Sequence, residues 1–265
     1  MQKLSVTVIA RDESANLAAA LESVRWADEI VVVDAESTDN TVEIARRYTD
    51  KVIVRPWPGY VAQKNFAAEQ ASHDWILSLD ADERISSELR DEIRRVLSSQ
   101  PSAAGYRSPR VTFHLGRWIR STDWYPDYQL RLYDRRRARW VGRYVHESVQ
   151  ADGPVERLRG EIQHHAYRDI AHHLQTMDRY TTLAARQMFE DGRQAGWIDV
   201  FIVPRLTFFR NYILRGGIRD GMPGLIVSVM NAYYVGLKFA KLWELCSHST
   251  STLRAPGAAD RTRSS

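Results

Sequence analysis

The stretch Trp75-Ile76-Leu77-Ser78-Leu79-Asp80-Ala81-Asp82 places two carboxylates directly behind a short apolar run. The run has the length and composition of a buried strand. Because ligands of an open α/β sheet gather at the carboxyl ends of its strands, Asp80 and Asp82 stand where a ligand is expected. Carboxylate oxygens suit Mg²⁺ or Mn²⁺, which hold the phosphates of nucleotide substrates. The alternative is a chance Asp-x-Asp triplet on a solvated loop.

The segments around this stretch predict a mainly parallel sheet. Apolar runs of strand length alternate with segments of helical period through residue 100, a pattern typical of repeated βαβ units. The predicted strands are 4–10, 29–34, 52–55 and 74–79, and the predicted helices are 16–23, the region around 42–45, 61–71 and 86–98. The fold class predicted from this half of the chain is α/β.

From residue 104 the runs become shorter and richer in aromatic residues, which predicts antiparallel strands that extend the sheet. These strands are 105–113, 127–133, 139–141 and 145–149, with 160–165 as a further candidate. The chain then turns helical, with a helix over 171–189 and helical segments over 199–245. We therefore expect an α/β domain at 1–168, a helical region at 169–246 and a disordered tail at 247–265.

The composition is that of an ordinary globular protein, with 44% hydrophobic and 26% charged residues in a chain of 265. The single Cys246 excludes an internal disulfide framework and a cysteine-based metal site, so a reducing, cytoplasmic location is expected. We expect no signal peptide, because charged residues at 11–13 break the first apolar run. The net charge of +4 is modest, but arginines crowd residues 131–143. They form a solvated face or bind an anionic substrate, an anionic lipid surface or nucleic acid.

The uncharged run at 222–237 is interrupted by Pro223, Gly224, Asn231 and Gly236. It is shorter than the roughly 20 apolar residues of a membrane-spanning helix, so we expect no transmembrane helix. Aromatic and basic residues nearby are typical of a patch that lies on a lipid surface. They are Phe208, Phe209, Tyr212, Ile213, Leu214, Arg205, Arg210, Arg215 and Arg219. An ordinary helix packed on the α/β domain is the alternative.

Four segments stand in a characteristic order: LSVTVIARDESANL at 4–17, VVVDAESTDNT at 31–41, GYVAQKNFA at 59–67 and WILSLDADERIS at 75–86. Their order and spacing resemble family 2 glycosyltransferases, which have the GT-A fold. The later RLYDRR and YVHES, with the run at 209–244, resemble the branch that contains lipopolysaccharide-core β-glucosyltransferases. The resemblance implies a GT-A domain over 1–168, with a Rossmann-like nucleotide-binding half and a mixed central sheet, followed by a C-terminal helical appendage.

The resemblance also implies a nucleotide-sugar site at the strand ends, with base and ribose contacts from Ala10, Arg11, Glu13 and Asp34. Asp34 is the strongest of these, because a carboxylate at a strand end accepts hydrogen bonds from ribose hydroxyls or a base N–H. A plain turn-forming residue is the alternative. Many family members have a second Asp where this chain has Ala35, which puts one nucleotide contact in doubt.

In the family pattern Lys64 faces the same site, where its ammonium binds the base edge or the diphosphate; a solvated helix lysine is the alternative. The resemblance places Asp80 near the ribose and the metal, and it makes Asp82 the firm metal ligand between the two phosphates. The expected cofactor is Mg²⁺ or Mn²⁺. His164 and His165 are possible further ligands, but packed or surface histidines are commoner, so the predicted site leaves them out.

The implied reaction is an inverting displacement at the anomeric carbon, with a nucleoside diphosphate as the leaving group. A base must take the proton of the attacking hydroxyl. Glu147 is the candidate base and Asp127 the second candidate, while His146 orients Glu147 or reaches the metal. A structural His-Glu pair in a strand is the alternative. Five aromatic residues stack on acceptor sugars or pack in the core: Trp118, Trp124, Tyr125, Tyr128 and Trp140.

The resemblance implies a donor such as uridine diphosphate glucose and a glycan or lipid-linked glycan acceptor, such as lipopolysaccharide core. Such an acceptor places the protein in the cytoplasm or peripherally on the inner face of a bacterial inner membrane. A catalytically inert GT-A scaffold that binds a nucleotide sugar or a partner protein is the alternative. No nucleic-acid-binding motif is present, so no nucleic-acid partner is expected. A nucleotidylyltransferase is disfavoured, because residues 10–15 contain no glycine.

Overall fold

The structure, a computed structural model, describes residues 2–142 and 147–253, with side chains to residue 248. Its strands are β1 (Leu4–Ala10), β2 (Glu29–Asp34), β3 (Val52–Val54), β4 (Trp75–Asp80), β5 (Glu83–Ile85), β6 (Gly105–His114), β7 (Arg117–Ile119), β8 (Asp127–Asp134), β9 (Ala138–Val141), β10 (Ser148–Ala151), β11 (Val155–Arg157) and β12 (Ile162–His164). Its α-helices are α1 (Leu17–Ser23), α2 (Thr41–Ala45), α3 (Tyr60–Gln70), α4 (Ser87–Ser98), α5 (Ile170–Glu190), α6 (Trp197–Phe209) and α7 (Gly221–Leu253).

A mixed sheet forms the centre of the α/β domain. Among the described residues it has ten strands, in the order β3-β2-β1-β4-β8-β6-β12-β5, with β7 and β11 also paired to β6. β3, β2, β1 and β4 run parallel, whereas β8 runs antiparallel to both β4 and β6. β9 and β10 form a separate antiparallel pair. The predicted α/β class with a mixed central sheet is therefore confirmed.

The strands β1, β2 and β4 are mostly apolar and buried, as expected for parallel strands whose sheet is covered on both faces. All seven residues of β1 are buried. Leu17 and Leu21 of α1 and Ile93 of α4 pack against one face, in a cluster with alternate residues of β1 and β4. Ala67 of α3 and Trp140 of β9 pack against the other face. This two-sided burial fixes the register that carries Asp80 to the end of β4.

The last three helices pack on one another, and Ala185 of α5 meets Phe239 and Leu242 of α7 in a shared core. Gly224 of α7 allows close contact with the 3₁₀ turn Gly217–Asp220, since a Cβ at this position would lie 2.0 Å from the Gly217 carbonyl oxygen. These contacts build the predicted C-terminal helical appendage.

α7 is one continuous helix rather than the interrupted segment that the sequence predicts. Pro223 stands in its first turn, where a missing N–H breaks no intrahelical hydrogen bond. By length and composition alone the segment Gly217–His248 is long and apolar enough to cross a membrane, and 28% of its most apolar window is buried. The length argument against a spanning helix is therefore wrong.

Other differences lie at short strands and chain ends. β5, β7 and β11 have three residues each and were not predicted. β10 begins at Ser148, while residues 145 and 146 of the predicted strand 145–149 lie outside the described residues. α7 continues to Leu253, past the predicted start of the tail, and residues 254–265 are not described.

Candidate active site

Asp80, the last residue of β4, is held between two buried cations. Lys64 Nζ of α3 lies 2.9 Å from Oδ1, and Arg131 Nη2 of β8 lies 2.7 Å from Oδ2. Lys64 and Arg131 are each only 3% exposed. Burial alone would raise the pKa of Asp80, but the charges of Arg131 and Lys64 outweigh it and hold the pKa well below its ordinary value. Asp80 is thus a carboxylate throughout the physiological range.

The ion pairs continue across the sheet from Arg131. Its Nη2 also lies 2.7 Å from Glu83, which is fully buried. Arg110 of β6 binds Glu83 at 3.1 Å and Asp127 at 2.7 Å. The charges alternate in the order Lys64, Asp80, Arg131, Glu83, Arg110, Asp127. Every buried charge of the cluster thus has an opposite neighbour, and none is left uncompensated.

Trp140 of β9 forms an aromatic wall beside the two cations. Lys64 Nζ lies 4.2 Å and the Arg131 guanidinium 5.3 Å from the ring centroid. Asn65 fixes this wall, because its amide donates to the Trp140 carbonyl and accepts from the Trp140 N–H, each at 3.0 Å. Lys64 is therefore buried and paired, rather than the solvated helix lysine of the alternative interpretation.

Asp82 lies at the same edge of the sheet, where its carboxylate is 3.2 Å from Nε2 of His164. Burial opposes ionisation, but the neighbouring His164 outweighs it, so the pKa of Asp82 is below its ordinary value. Glu13 lies near Asp82. Burial raises the pKa of Glu13, and the negative charges of Asp82 and Asp39 raise it further. The structure thus groups a carboxylate, an imidazole and a second acid at one edge.

The loops after β1 and β2 are tied together at the predicted nucleotide end. Asp34 is fully buried, and its carboxylate accepts hydrogen bonds from the N–H and the hydroxyl of Ser37. Ser37 Oγ accepts from the N–H of Asp12, and the Asp12 carboxylate accepts from the N–H of Thr38. Asp12 and Glu36 have φ values of +53° and +56°, which non-glycine residues rarely adopt. Asp34 thus organises this turn; its nucleotide contact stays a prediction.

The other residues predicted at the nucleotide end differ in accessibility. Ala10 is buried, and its carbonyl accepts from the N–H of Ala35 at 2.8 Å. Arg11 is exposed, with 61% of its side chain accessible. Glu13 accepts a hydrogen bond from the Asn16 side chain at 3.0 Å. Ala10 lies beside the end of β4, since the preceding Ile9 pairs with Asp80, and Glu13 is near enough to Asp82 for the two acids to interact.

The two candidate bases have different surroundings. Glu147 Oε1 lies 3.8 Å from Lys64 Nζ, and Glu147 Oε2 is buried without a hydrogen-bond partner in the described part of the chain. Asp127 instead accepts from Arg110 and from Gln129 Nε2 at 2.7 Å. His146, the predicted companion of Glu147, lies outside the described residues. The structure brings Glu147 to the Asp80 cluster through Lys64.

Sequence reasoning missed three residues of this site, Arg131, Glu83 and Arg110, and it considered His164 as a ligand but left it out. Arg131 was grouped with its neighbouring arginines, although it lies within the RLYDRR segment, between Leu130 and Leu132, which are both buried. A charged residue inside an apolar strand was the available signal, since such residues are rarely buried without a partner.

The sequence matches the family model described as glycosyl transferase family 2 over residues 5–151, more than half of the chain. The chain belongs to glycosyl transferase family 2. This glycosyltransferase is 31% identical over 248 residues to the lipopolysaccharide core biosynthesis glycosyltransferase LpsC of Rhizobium meliloti, a match that covers 91% of this chain and 92% of LpsC. The family predicted from the four N-terminal segments is confirmed, and the chain is an enzyme of the glycosyltransferase class.

Two solved structures are similar to the glycosyltransferase. One is S. aureus TarS in complex with UDP-GlcNAc, at 14% identity and a TM-score of 0.45, with coverage of 93% of this chain and 92% of that one. The other is glucosyl-3-phosphoglycerate synthase from Mycobacterium tuberculosis with Mn²⁺, UDP-Glc and phosphoglyceric acid, at 20% identity and a TM-score of 0.35, with coverage of 41% and 44%. Family membership and the mixed sheet together assign the GT-A fold.

Proposed function

We propose that this glycosyltransferase is an inverting, metal-dependent enzyme that moves a sugar from a nucleoside diphosphate, such as uridine diphosphate glucose, to a hydroxyl of a glycan or lipid-linked glycan. The observation that carries the proposal is the pair of ionised carboxylates, Asp80 and Asp82, at the carboxyl end of β4, next to the buried cations Lys64 and Arg131. The edge of a parallel sheet is where such folds bind nucleotides.

The donor set at Asp82 fits a divalent cation shared with phosphates. Within residues 2–142 and 147–253 no group of three or more His, Cys, Asp or Glu side chains is placed to hold a metal by itself. Asp82 and His164 offer one carboxylate and one imidazole, and Mg²⁺ and Mn²⁺ commonly take one or two protein ligands with phosphates and water. Both oxygens of Asp80 already face cations, so we assign the metal to Asp82 and His164. When bound, the ion would neutralise charge on the departing diphosphate.

Asp80 then has a positioning role in addition to the predicted ribose contact. It holds Lys64 and Arg131 at the donor end of the site, while Nε and Nη1 of Arg131 are buried without a hydrogen-bond partner among the described residues. Buried N–H groups without partners are uncommon in proteins, and they are suited to donate to oxygens of a bound substrate. We propose that these N–H groups bind the diphosphate or the donor sugar.

Glu147 is the proposed base. The acceptor oxygen attacks the anomeric carbon, its proton passes to Glu147, and the bond from that carbon to the diphosphate oxygen breaks with inversion. Within the described residues no group donates to Oε2 of Glu147, and this supports the role, because proton removal needs an acceptor atom that is not already hydrogen-bonded. Asp127 is less suited, since Arg110 and Gln129 already donate to it.

The acceptor is proposed to be lipid-anchored, and the support comes from α6. Six apolar residues recur at helical spacing on one side of α6 and are all exposed: Trp197, Ile198, Phe201, Ile202, Leu206 and Phe209. Arg205 lies within this stripe, and Arg219 is exposed nearby. An exposed apolar stripe with basic residues fits the surface of an anionic lipid bilayer. The identity with LpsC supports lipopolysaccharide core as the acceptor class.

Thermal unfolding with nucleotide sugars tests the proposed donor site. Purified protein is melted with a panel of nucleotide sugars, each with Mn²⁺, Mg²⁺ or a chelator, because a ligand that binds only the folded state raises the melting temperature. We expect one nucleotide class to stabilise the protein only with metal. Absence of stabilisation under every condition would favour an inert GT-A scaffold instead.

A further inference from the structure

A cavity of about 250 Å³ lies between the catalytic domain and the C-terminal helices. Its wall contains four aromatic side chains: Trp124 before β8, Tyr167 after β12, Tyr180 of α5 and Tyr234 of α7. Thr176 and Asn231 add polar groups. Neither the nucleotide end nor the ion pairs around Asp80 account for this cavity, so it is a separate feature of the fold.

Packing and a hydrogen bond hold the rings of Tyr167 and Trp124 in place. The Tyr167 ring stacks on His173 with centroids 3.9 Å apart and an angle of 19° between the planes. The Trp124 ring lies 5.7 Å from Tyr167, and its indole N–H donates to Asn231 Oδ1 at 3.0 Å. Because these rings are fixed by packing and hydrogen bonding, the cavity is formed before any ligand enters, which lowers the entropic cost of binding.

The cavity lining carries no charge at neutral pH. Its residues are aromatic, hydroxyl, amide and thioether side chains together with His173. Burial, with a smaller effect of His114, lowers the pKa of His173 to about 3, so this imidazole is neutral. A carboxylate or phosphate placed here would lose its water without gaining a cation, which is unfavourable. Flat aromatic faces with hydroxyl groups at their tips suit an uncharged sugar ring instead.

The cavity borders both halves of the proposed reaction site. Tyr180 forms a side-chain hydrogen bond with Tyr60, the first residue of the helix that carries Lys64. On the opposite side, Tyr167 follows β12, whose last residue His164 lies 3.2 Å from the Asp82 carboxylate. The cavity wall therefore adjoins the helix that carries Lys64, and Glu147 Oε1 lies 3.8 Å from Lys64 Nζ.

We propose that this cavity binds the terminal neutral hexopyranose of the acceptor, with its ring against Tyr167, Tyr234 and Trp124 and one hydroxyl directed toward Glu147. This inference rests on the proposed function for the reaction that follows binding. It specifies that the acceptor ends in an uncharged sugar. It excludes an acceptor that ends in an acidic sugar or a phosphate.

Saturation-transfer NMR on the full chain tests the proposal, with methyl β-D-glucopyranoside, methyl β-D-galactopyranoside and methyl β-D-glucuronide as probes and UDP and Mg²⁺ present. We expect at least one neutral glycoside to bind and the glucuronide to bind more weakly. Thr176→Phe, which fills the cavity, should weaken the neutral glycoside about tenfold or more. Leu174→Phe adds the same ring to the exposed side of α5 and should leave binding unchanged. Tyr234→Leu, which removes one stacking face, is a second test should Thr176→Phe not fold.

Equal binding to the wild type and both cavity variants would overturn the proposal, as would equal binding of the glucuronide or no glycoside binding at all. The UDP-induced rise in melting temperature is measured on the same proteins. If UDP stabilises all of them but no glycoside binds, the cavity proposal fails and the proposed function stands. If a glycoside binds only to proteins with an intact cavity, and UDP stabilises none of the proteins, the cavity is a sugar site and the proposed function fails.

Discussion

Arg131 connects two carboxylates of the site, Asp80 and the fully buried Glu83. Removing one partner of a buried ion pair leaves an uncompensated charge, which costs roughly 3–5 kcal/mol. We expect Arg131→Met to lower the free energy of unfolding by about that amount, measured by urea denaturation. Arg139→Met on the neighbouring β9 is the matched control, because Arg139 is exposed. If Arg131→Met loses no more unfolding free energy than the control, the buried ion pairs do not contribute to stability.

Glu147 is expected to act in the chemical step and not in donor binding. Glu147→Gln keeps the size of the side chain but removes the group that accepts the proton, so transfer should slow by about 10²–10⁴-fold. Stabilisation by nucleotide sugar and metal should persist. Glu156→Gln on β11 changes an exposed acid in the same way and should leave both properties unchanged. Full activity of Glu147→Gln would transfer the role of base to Asp127.

At this scale the sequence indicated part of the site. Asp80 and Asp82 could be predicted as site residues because they follow an apolar strand. Lys64 could be predicted from the family resemblance. Arg131 and Arg139 have the same chemistry and lie in the same arginine-rich segment, yet one is 3% exposed and the other faces solvent. Which arginine turns inward depends on the pairing of β8 with β4, and this pairing is a tertiary property.

At the scale of secondary structure, Glu29 joins β1, β2 and the segment before β4. Its carboxylate accepts from Ser5 of β1, from Lys51 before β3 and from the Ser72 N–H, the last at 2.7 Å. Burial opposes its ionisation, but the bonds from Lys51, Ser5 and Ser72 outweigh burial and lower the pKa of Glu29 from 4.5 to about 2. The ionised form is therefore the one that holds these elements together.

A carboxyl group whose pKa is lowered by folding stabilises the folded state fully at a pH above its pKa in the unfolded chain. This stabilisation is lost as the pH falls through its pKa in the folded protein. Between about pH 4.5 and about pH 2 the wild type should therefore lose more unfolding free energy than Glu29→Gln. Denaturant titrations across this range measure the difference. Glu22→Gln alters an acid whose side chain is 57% exposed and should follow the wild type. Parallel curves for the wild type and Glu29→Gln would contradict the assignment.

Secondary structure was predictable where the chain is uniform. β1, β2 and β4 are mostly apolar runs of strand length that alternate with helical segments, and this pattern favours buried strands of a parallel sheet. Strands of three residues, such as β5, are too short for any periodicity to appear. α7 was predicted as broken because Pro223, Gly224, Asn231 and Gly236 interrupt its sequence. Pro223 and Gly224 stand in its first turn, and the helix continues through Asn231 and Gly236.

At the scale of the whole molecule, the exposed stripe of α6 gives the protein one apolar side. We expect the protein to float with vesicles that contain phosphatidylglycerol, and less with pure phosphatidylcholine or at high salt, because arginines strengthen the contact with anionic lipid. The double variant Phe201→Ser, Leu206→Ser should lose most of this binding. Val54→Ser removes an exposed apolar residue from β3 as a control. Undiminished flotation of the double variant would refute the lipid contact.

The α/β domain and the helical region could be outlined from the sequence, but their junction could not. The aromatic cavity draws Trp124, Tyr167, Tyr180 and Tyr234 from four separate segments. The ion pairs around Asp80 likewise combine α3, β4, β5, β6 and β8. Sequence spacing carries no information about contacts of this kind, which arise only when the sheet is assembled.

The central claim, metal-dependent use of a nucleotide sugar, is tested most directly by the rate at which nucleoside diphosphate is released from the donor. The rate is measured with Mn²⁺, Mg²⁺ or a chelator for the wild type, Asp82→Asn and the control Asp91→Asn, whose carboxylate is exposed on α4. We predict release by the wild type and Asp91→Asn only with metal, and a loss of about 10²-fold or more in Asp82→Asn. Release that is unaffected by the chelator, or by Asp82→Asn, would contradict the account.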